Sequence, residues 1–599
     1  MSARGDFVLY CRRQMIRKSD STLPVADEAA DFAERRWLPY AVFLAVTGVL
    51  AVPWLQNLHN WGIRDWDLFT TLHAAAVSAI QDYGQFPFWN PYIGGGNILF
   101  AHPEVPVLNP LFGLLLLFGP LTGLKVQVLV IYFIGMAGFY KLARQLGISF
   151  YGAFIPPVVF MLGSYLTLHF SVGHVPFHYF AFLPWLIFFY RKSLDAPIHI
   201  FSAGGVVAFI ILGSGAAVPL LFSLFFLLVF SLFDINRTRT YRPPLYAVGA
   251  GACGIVFAAA KFLPMYDYLT RYPWTPEGTV QTTPLWVLPK MFFAVNQSPF
   301  ADHIQGYVWG WHEYGAYIGP VVAILVIVAA VSRIKKDWPY LALIALSLLL
   351  VFGSFSPPWS PWDLLHKLPG FASIRVPSRF IVLALFAMAV LAGKGVDVVL
   401  SLFRYRRGML ATVIFAAILA THLFVVMPIL GEAFIRTPDQ PVPHDDFKQV
   451  VGDPNHLYTA FLSNRGTIKA AWLSAYREGR GILDYENRSS EWYSEGEAVR
   501  VLGRTFTPNR IVYDVAAQRG GTLVVAQGYD IGWRRTDGKP VKSFSELVAF
   551  DVEPGDRRVE IYYHPRYFNI GLFISLISIC AALAGPVLYR KLRQQAMPD

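Results

Sequence analysis

Apolar runs of about 17–23 residues recur along this 599-residue chain, the length an α-helix needs to cross a bilayer core. Inside hydrocarbon a backbone must satisfy its own hydrogen bonds, so each run is expected to be helical. Spans are predicted near 38–56, 123–143, 151–167, 178–190, 198–214, 217–233, 245–263, 314–332, 339–354, 379–395, 409–430 and 568–588. With 55% hydrophobic and only 15% charged residues, the composition excludes a soluble multidomain protein. The fold class expected is a polytopic α-helical membrane protein of about 12 transmembrane helices. Residues 105–121 are also apolar, but counting them as a span spoils the charge pattern, so they are expected to lie against the membrane.

That pattern is regular. With the N-terminus inside, the inner loops carry Lys141 and Arg144, Arg191 and Lys192, Arg237, Arg239 and Arg242, Arg333, Lys335 and Lys336, Arg404, Arg406 and Arg407, and Arg590, Lys591 and Arg593. Short, basic inner loops are what the positive-inside rule asks. The net charge of +11 is therefore read as topology, with a lipid bilayer and no nucleic acid as partner. Residues 1–37 form a basic cytoplasmic tail. The first run starts late and lacks a small-residue cleavage site, so it is expected to remain as a span. Both termini are expected in the cytoplasm. The long segments 57–122, 264–313, 355–378 and 431–567, with the short 168–177, fall on the outer side. The three cysteines suggest neither a disulfide framework nor a Cys metal site.

The first outer loop opens with "RDWDLF", which places Asp65 and Asp67 beside the membrane, where carboxylates are costly unless water, a partner or a task holds them. The spacing of Leu68, Leu72, Ala76, Ile80 and Tyr83 predicts an amphipathic helix lying in the interface and ending at Gly84. Locally, Asp67 reads as the cap of that helix, and Asp65 as solvated or paired with Arg64. "QFPFWNPYIGGGN" follows. Its prolines and glycines predict a fixed non-helical loop whose backbone can approach a ligand closely. Within 431–567, "RIVYDVAA", "GTLVVAQG" and "RRVEIYYH" alternate as strands do, and Asp537-Gly538 is a hairpin signal. A β-rich, sandwich-like extracytoplasmic domain is predicted there, preceded by an α/β stretch over 445–496 and tethered by the last two spans, the final one in 568–599.

Taken together, the early outer-loop aspartates, "GQFPFWNPYIGGGNILFAHPEVPVLNP", "WHEYGAYIGPVVAIL", "LPGFASIRVPSRFIVLALFAMAVLAGKGVD" and "GWRRTDGKPV…VEPGDRRVEIYYHPRYFNIGLFIS" resemble the YfhO-type family of bacterial membrane proteins. "PFWNP" and "RVPSRF" are the most specific blocks, and the resemblance runs from about residue 60 to 588. It implies a GT-C fold, lipid-linked glycosyltransferase at the bacterial cytoplasmic membrane. Such an enzyme would move a sugar from a polyprenyl-phosphate donor to an envelope glycan, lipid or protein acceptor at the periplasmic or extracellular face. An acidic residue of the first outer loop would be the base; Asp67 matches that position, with Asp65 second. The chemistry suits the residue types, because a carboxylate takes the acceptor proton and fixed cations stabilise the leaving phosphate. Direct displacement would invert the anomeric centre.

Candidates for the phosphate are Arg375, Arg379 and Lys261. Glu313 and His312 at the mouth of the eighth span, Trp89, Asn90 and Tyr92 of the glycine loop, and His102 and Glu104 beyond it are candidates for acceptor or sugar. For Lys261 the competing reading is snorkelling; for Glu313 it is a helix cap. No cofactor is firmly indicated. A divalent metal is conceivable, His169, His174 and His178 converging on one outer corner in no standard ligand spacing. The alternatives are a transporter or flippase, or a non-catalytic assembly protein for envelope polysaccharide. Against the first, the spans are almost free of carboxylates and show no repeat.

Overall fold

The computed structural model describes residues 36–215, 218–272, 282–301, 309–403, 406–450, 457–468, 491–494 and 498–595. The chain divides into two units, Met1–Val46 and Thr47–Asp599. In the first, residues 36–46 are described and hold the start of the helix Leu38–Gln56. The second holds all that follows.

Eight described helices are long and apolar enough to cross a membrane, and a bent pair makes a ninth. The expected count of about 12 is not met helix for helix, and three departures have local causes. The predicted spans 178–190 and 198–214 are carried by shorter pieces, the 3-10 helix Val175–Phe182 running into Leu183–Asp195, and the 16-residue His199–Ser214. The predicted span 245–263 breaks at Ala258, and Arg242–Phe257 and Ala259–Arg271 meet at 91°. Such a break frees backbone N–H groups. Here Ala260 N donates to Ser575 Oγ (2.9 Å), and Gly571 leaves room for the Ala259 carbonyl.

The third departure is Gly319–Val351, one 33-residue helix with non-helical angles at Arg333. Straight, it would be about 50 Å long. Yet Ala316 and Ile318 donate to the carbonyls of Met291 and Phe292 (3.1 and 3.0 Å), while Thr283 N donates to Phe352 O (3.2 Å). Residues 283–292 can span only about 32 Å. The chain therefore doubles back at Arg333, and the two arms match the predicted runs 314–332 and 339–354.

The helix Trp66–Gln81 follows the predicted periodicity, but protein encloses it along most of its length, from Trp66 to Ala79. It does not lie exposed in the interface as the stripe alone implied. Residues 105–121 give the 3-10 turn Pro110–Phe112 and the short helix Gly113–Phe118 before Pro120–Gln145 begins.

Strands β1 (Trp89–Asn90) and β2 (Asn97–Ile98) form a small antiparallel hairpin in the first loop, Trp89 opposite Ile98. Beyond the last long loop, β3 (Lys448–Val450) and β4 (Arg465–Thr467) pair in parallel, with the helix Leu457–Leu462 between them in sequence. Eight further strands follow: β5 (Trp492–Ser494), β6 (Val499–Thr507), β7 (Arg510–Ala517), β8 (Gly521–Gly528), β9 (Trp533–Arg535), β10 (Lys542–Phe544), β11 (Leu547–Val552) and β12 (Arg558–Tyr563). They make two four-stranded sheets, ordered β10-β11-β8-β5 and β6-β7-β12-β9. Val515, Val559 and Ile561 of one sheet share a core with Leu523, Val525 and Phe550 of the other, as period-2 alternation requires of packed sheets. Gly538 takes the positive φ (+77°) of a turn, but β9 and β10 lie in different sheets. The Asp537-Gly538 turn therefore passes the chain between sheets rather than closing a hairpin.

The first-loop hairpin is a peg driven into this sandwich. Trp89 joins its core, against Trp533 and Tyr563 (ring centres 5.1 and 4.6 Å), and donates Nε1–H to Gln527 Oε1 (2.8 Å). Gly94, Gly95 and Gly96 all have positive φ. A Cβ on Gly96 would lie 2.4 Å from Gln527 Oε1, so the glycines admit a close approach, to the sandwich.

Candidate functional site

Five separated segments, each expected on the outer side, meet at one cavity of about 810 Å³. Trp61–Asp65, Asp67 and Leu68 come from the first loop, His174 from the second, and Trp309, His312 and Glu313 precede the doubled helix. Arg375 and Arg379 stand before Pro377–Leu402 and in its first turn, and Arg436–Asp439 with Thr459 close the far wall.

The "RDWDLF" turn is held tightly. Lys125 donates to the carbonyls of Asn57 (2.7 Å), Leu58 (3.0 Å) and Asn60. Trp66 is fully buried and donates Nε1–H to Phe170 O (2.7 Å). Side chains at Gly62 or Gly173 would collide with it. Ile63 N and Asp65 N donate to Ser171 O and Val172 O (3.0 Å each). This pairing brings Asp65 to His174, whose Nε2 lies 2.9 Å from Asp65 Oδ2.

The two aspartates have different work. Asp65 stands at the N-cap position of Trp66–Gln81 without capping it, and its side chain is 29% exposed at the cavity. Burial pushes its carboxyl up, but the hydrogen bond from His174 and the electrostatic pull of His174, His312 and Arg64 hold it below the usual carboxylate range. Asp67, 8% exposed, does cap a helix, though not its own. Oδ2 and Oδ1 accept from Leu457 N and Tyr458 N (2.7 Å each), the N-terminus of Leu457–Leu462. An anion at a helix N-terminus satisfies orphan donors and the helix dipole together.

Two arginines line the same cavity. Arg379 Nε and Nη2 bind Glu313 Oε2 and Oε1 (2.8 and 2.5 Å) in a bidentate pair, so Glu313 is an ion-pair partner rather than a cap. Arg375 lies over the Trp309 ring, 4.7 Å from its centre. Burial and the charge of Arg379 push the Arg375 guanidinium down against the opposing pull of Glu313 and Asp65.

The remaining sequence candidates are not at this cavity. Lys261 is buried and spends its ammonium on the carbonyls of Phe100, His102 (2.7 Å) and Val105 (2.9 Å); it neither snorkels nor faces the site. Trp89 sits in the sandwich core, as described. Asn90 Oδ1 accepts from Tyr92 N (2.9 Å), and Tyr92 packs between Phe447 and Phe461. His102 is buried, its Nδ1 accepting from Glu104 N (3.3 Å).

Glu104 lies within electrostatic reach of the cluster. Burial raises its carboxyl to about 7, Asp65 adding to the rise and His174 and Arg379 opposing it. A raised folded pKa means that the folded state holds more protons than the unfolded one over that interval. Stability is then full below the ordinary carboxyl range and falls as pH rises through about 7. Thermal melts at about pH 5 and about pH 8 check this: Glu104→Gln, neutral at both, is expected to lose less stability across the interval than the native chain. Equal losses would refute it.

Sequence reasoning passed over Trp309, Arg436 and Thr459, which no motif marks, took Arg64 only as a possible partner of Asp65, and considered His174 only as a metal ligand. Among the described residues no group of three or more His, Cys, Asp or Glu side chains is placed to hold a metal ion. In the histidine corner, Nδ1 of His169 faces Nδ1 of His174 at 2.9 Å, and His178 Nδ1 turns to Val175 O (3.2 Å). These rings do not fit a tri-His centre, and no step below is routed through a metal.

No family model and no curated protein matches the sequence. Among solved structures the chain is similar to arabinofuranosyltransferase AftD from Mycobacteria, at 15% identity and TM-score 0.43 over 66% of this chain; it spans 27% of that one. It is also similar to ArnT from Cupriavidus metallidurans, bound to undecaprenyl phosphate, at 14% identity and TM-score 0.37 over 72% of this chain and 85% of that one. Both likenesses are loose.

Proposed function

We propose that this chain is a membrane glycosyltransferase of the YfhO-type, GT-C class, acting at the outer face of the bacterial cytoplasmic membrane. It moves a sugar from a polyprenyl-phosphate carrier to an acceptor hydroxyl of an envelope glycan, lipid or protein. The observation that carries this reading is that a partly exposed carboxylate, Asp65, and two arginines, Arg375 and Arg379, line one cavity. In-line displacement needs a proton acceptor on one side of the anomeric carbon and fixed positive charge on the other.

The acceptor oxygen forms its bond to the anomeric carbon as its proton passes to Asp65. The carbon–oxygen bond to the phosphate breaks with its electron pair, leaving a polyprenyl phosphate against Arg375, with inversion. Asp65 is favoured over Asp67 because both Asp67 oxygens are already engaged by backbone N–H groups. Arg375 and Arg379 both line the cavity where the phosphate would leave, Arg379 held two-handed by Glu313. Trp309 and Trp61, both at the cavity, offer aromatic surface to a sugar.

The test is release of carrier. Full-length protein in nanodiscs is incubated with a panel of undecaprenyl-phosphate-linked hexoses, pentoses and amino sugars, together with envelope glycan and lipid acceptors. Time-dependent appearance of undecaprenyl phosphate is expected with at least one pair. No release across the panel, together with no saturable donor binding, would refute the proposal.

A further inference from the structure

The histidine corner has an order that bears on Asp65. His174 Nε2 lies 2.9 Å from Asp65 Oδ2, and His174 Nδ1 lies 2.9 Å from His169 Nδ1. His169 is fully buried, stacked on Phe177 at 3.9 Å and edge-on to Tyr165 at 4.6 Å; among the described residues its Nε2 has no hydrogen-bond partner. A neutral imidazole carries one proton, so the partners fix the tautomers. If His174 carried its proton on Nδ1, its bare Nε2 would face an ionised oxygen. His169 would then carry Nε2–H, a buried donor with nothing to receive it, the costlier of the two ways to leave that atom unpaired. The other arrangement avoids both faults: His169 donates from Nδ1, His174 accepts there and donates Nε2–H to Asp65.

We infer that His169, His174 and Asp65 form a directed hydrogen-bond chain in which His174 is a positioning residue for Asp65. It occupies Oδ2 and leaves Oδ1 as the oxygen that receives the acceptor proton. The inference rests on the proposed reaction only for that last clause. The titratable groups facing His174 are Asp65, Glu104, Glu313, His169 and His312.

Two measurements on the full chain in nanodiscs test this separately. The first is solid-state NMR of protein carrying 15N-histidine, with His174→Gln and His169→Asn used for assignment. The expected result is His174 protonated at Nε2 and His169 at Nδ1; the reverse pair of tautomers would overturn the chain. The second is the pH profile of sugar transfer. His174→Leu strips the donor from Asp65, so kcat is expected to fall roughly 10- to 100-fold, with KM little changed and the acid limb moved to higher pH. His174→Gln, which can still donate, restores most of the loss, and His169→Asn does so where His169→Leu does not. A His174→Leu variant with native kcat and native acid limb would overturn the positioning role. Native protein that transfers no sugar but shows the expected tautomers would refute the proposed function and leave the chain standing.

Discussion

Asp65→Asn is expected to lower kcat for sugar transfer by about 10²- to 10⁴-fold, the range that a positioned general base contributes, with little change in thermal stability. Asn keeps the carbonyl oxygen that meets His174 Nε2 and nearly the same volume, so what it removes is the lone pair that takes the proton. Asp67→Asn is expected to do the reverse. One of the two groups that receive Leu457 N–H and Tyr458 N–H becomes an NH₂ and opposes a donor. The lost cap is worth about 0.5–2 kcal/mol, felt in the segment that walls the cavity, while kcat falls far less. Hydrogen exchange of residues 457–462 and steady-state kinetics separate the two effects. If Asp67→Asn abolished turnover and Asp65→Asn preserved it, the base would be Asp67. The net lowering of the Asp65 carboxyl adds a consequence: the acid limb of kcat/KM lies below the ordinary carboxylate value of about 3.9. Near neutral pH the base stays ionised.

How much of this was legible depended on whether the deciding partner was local. "RIVYDVAA" and "GTLVVAQG" are β7 and β8 at their full lengths, although β8 does not alternate in burial: Leu523 and Val525 enter one core and Val524 and Ala526 another. Charge at loop ends grouped into one outer set the segments that the structure gathers at one cavity. Non-local partners were invisible. A carboxylate in a first helical turn reads as a cap, but the helix that Asp67 caps lies 390 positions away. The triple glycine was read as room for a ligand; close approach was right, and the visitor is Gln527. Lys261 looked like a cation in need of an anion, and three carbonyl dipoles meet that need instead. Aromatics in "PFWNP" suggested sugar faces, yet Trp89 serves the sandwich core. A peg and a binding loop draw on the same residue types, since both need rigid backbone and large rings.

The largest effect on stability is expected from Glu313→Leu. Glu313 and Arg379 have side chains 1% and 14% exposed, so removing the carboxylate leaves a guanidinium buried without its partner. Breaking a buried pair from one side costs about 3–5 kcal/mol, enough to lower the melting temperature clearly or to abolish folding in detergent. The double variant Glu313→Leu, Arg379→Met is expected to recover most of that loss, because an apolar pair of similar volume carries no desolvation penalty. Its activity separates structure from chemistry. If Arg379 only balances Glu313, the double variant transfers sugar at the native rate. If Arg379 shifts from Glu313 toward the leaving phosphate as charge develops there, the double variant folds but loses about 10²- to 10³-fold in kcat, the scale of one electrostatic donor to a transition state. The second outcome is expected. Arg379 lines the same cavity as Asp65, and a pair needed only for packing would gain nothing from a place in that wall. Pairing with Glu313 holds the guanidinium at the cavity wall before the donor arrives.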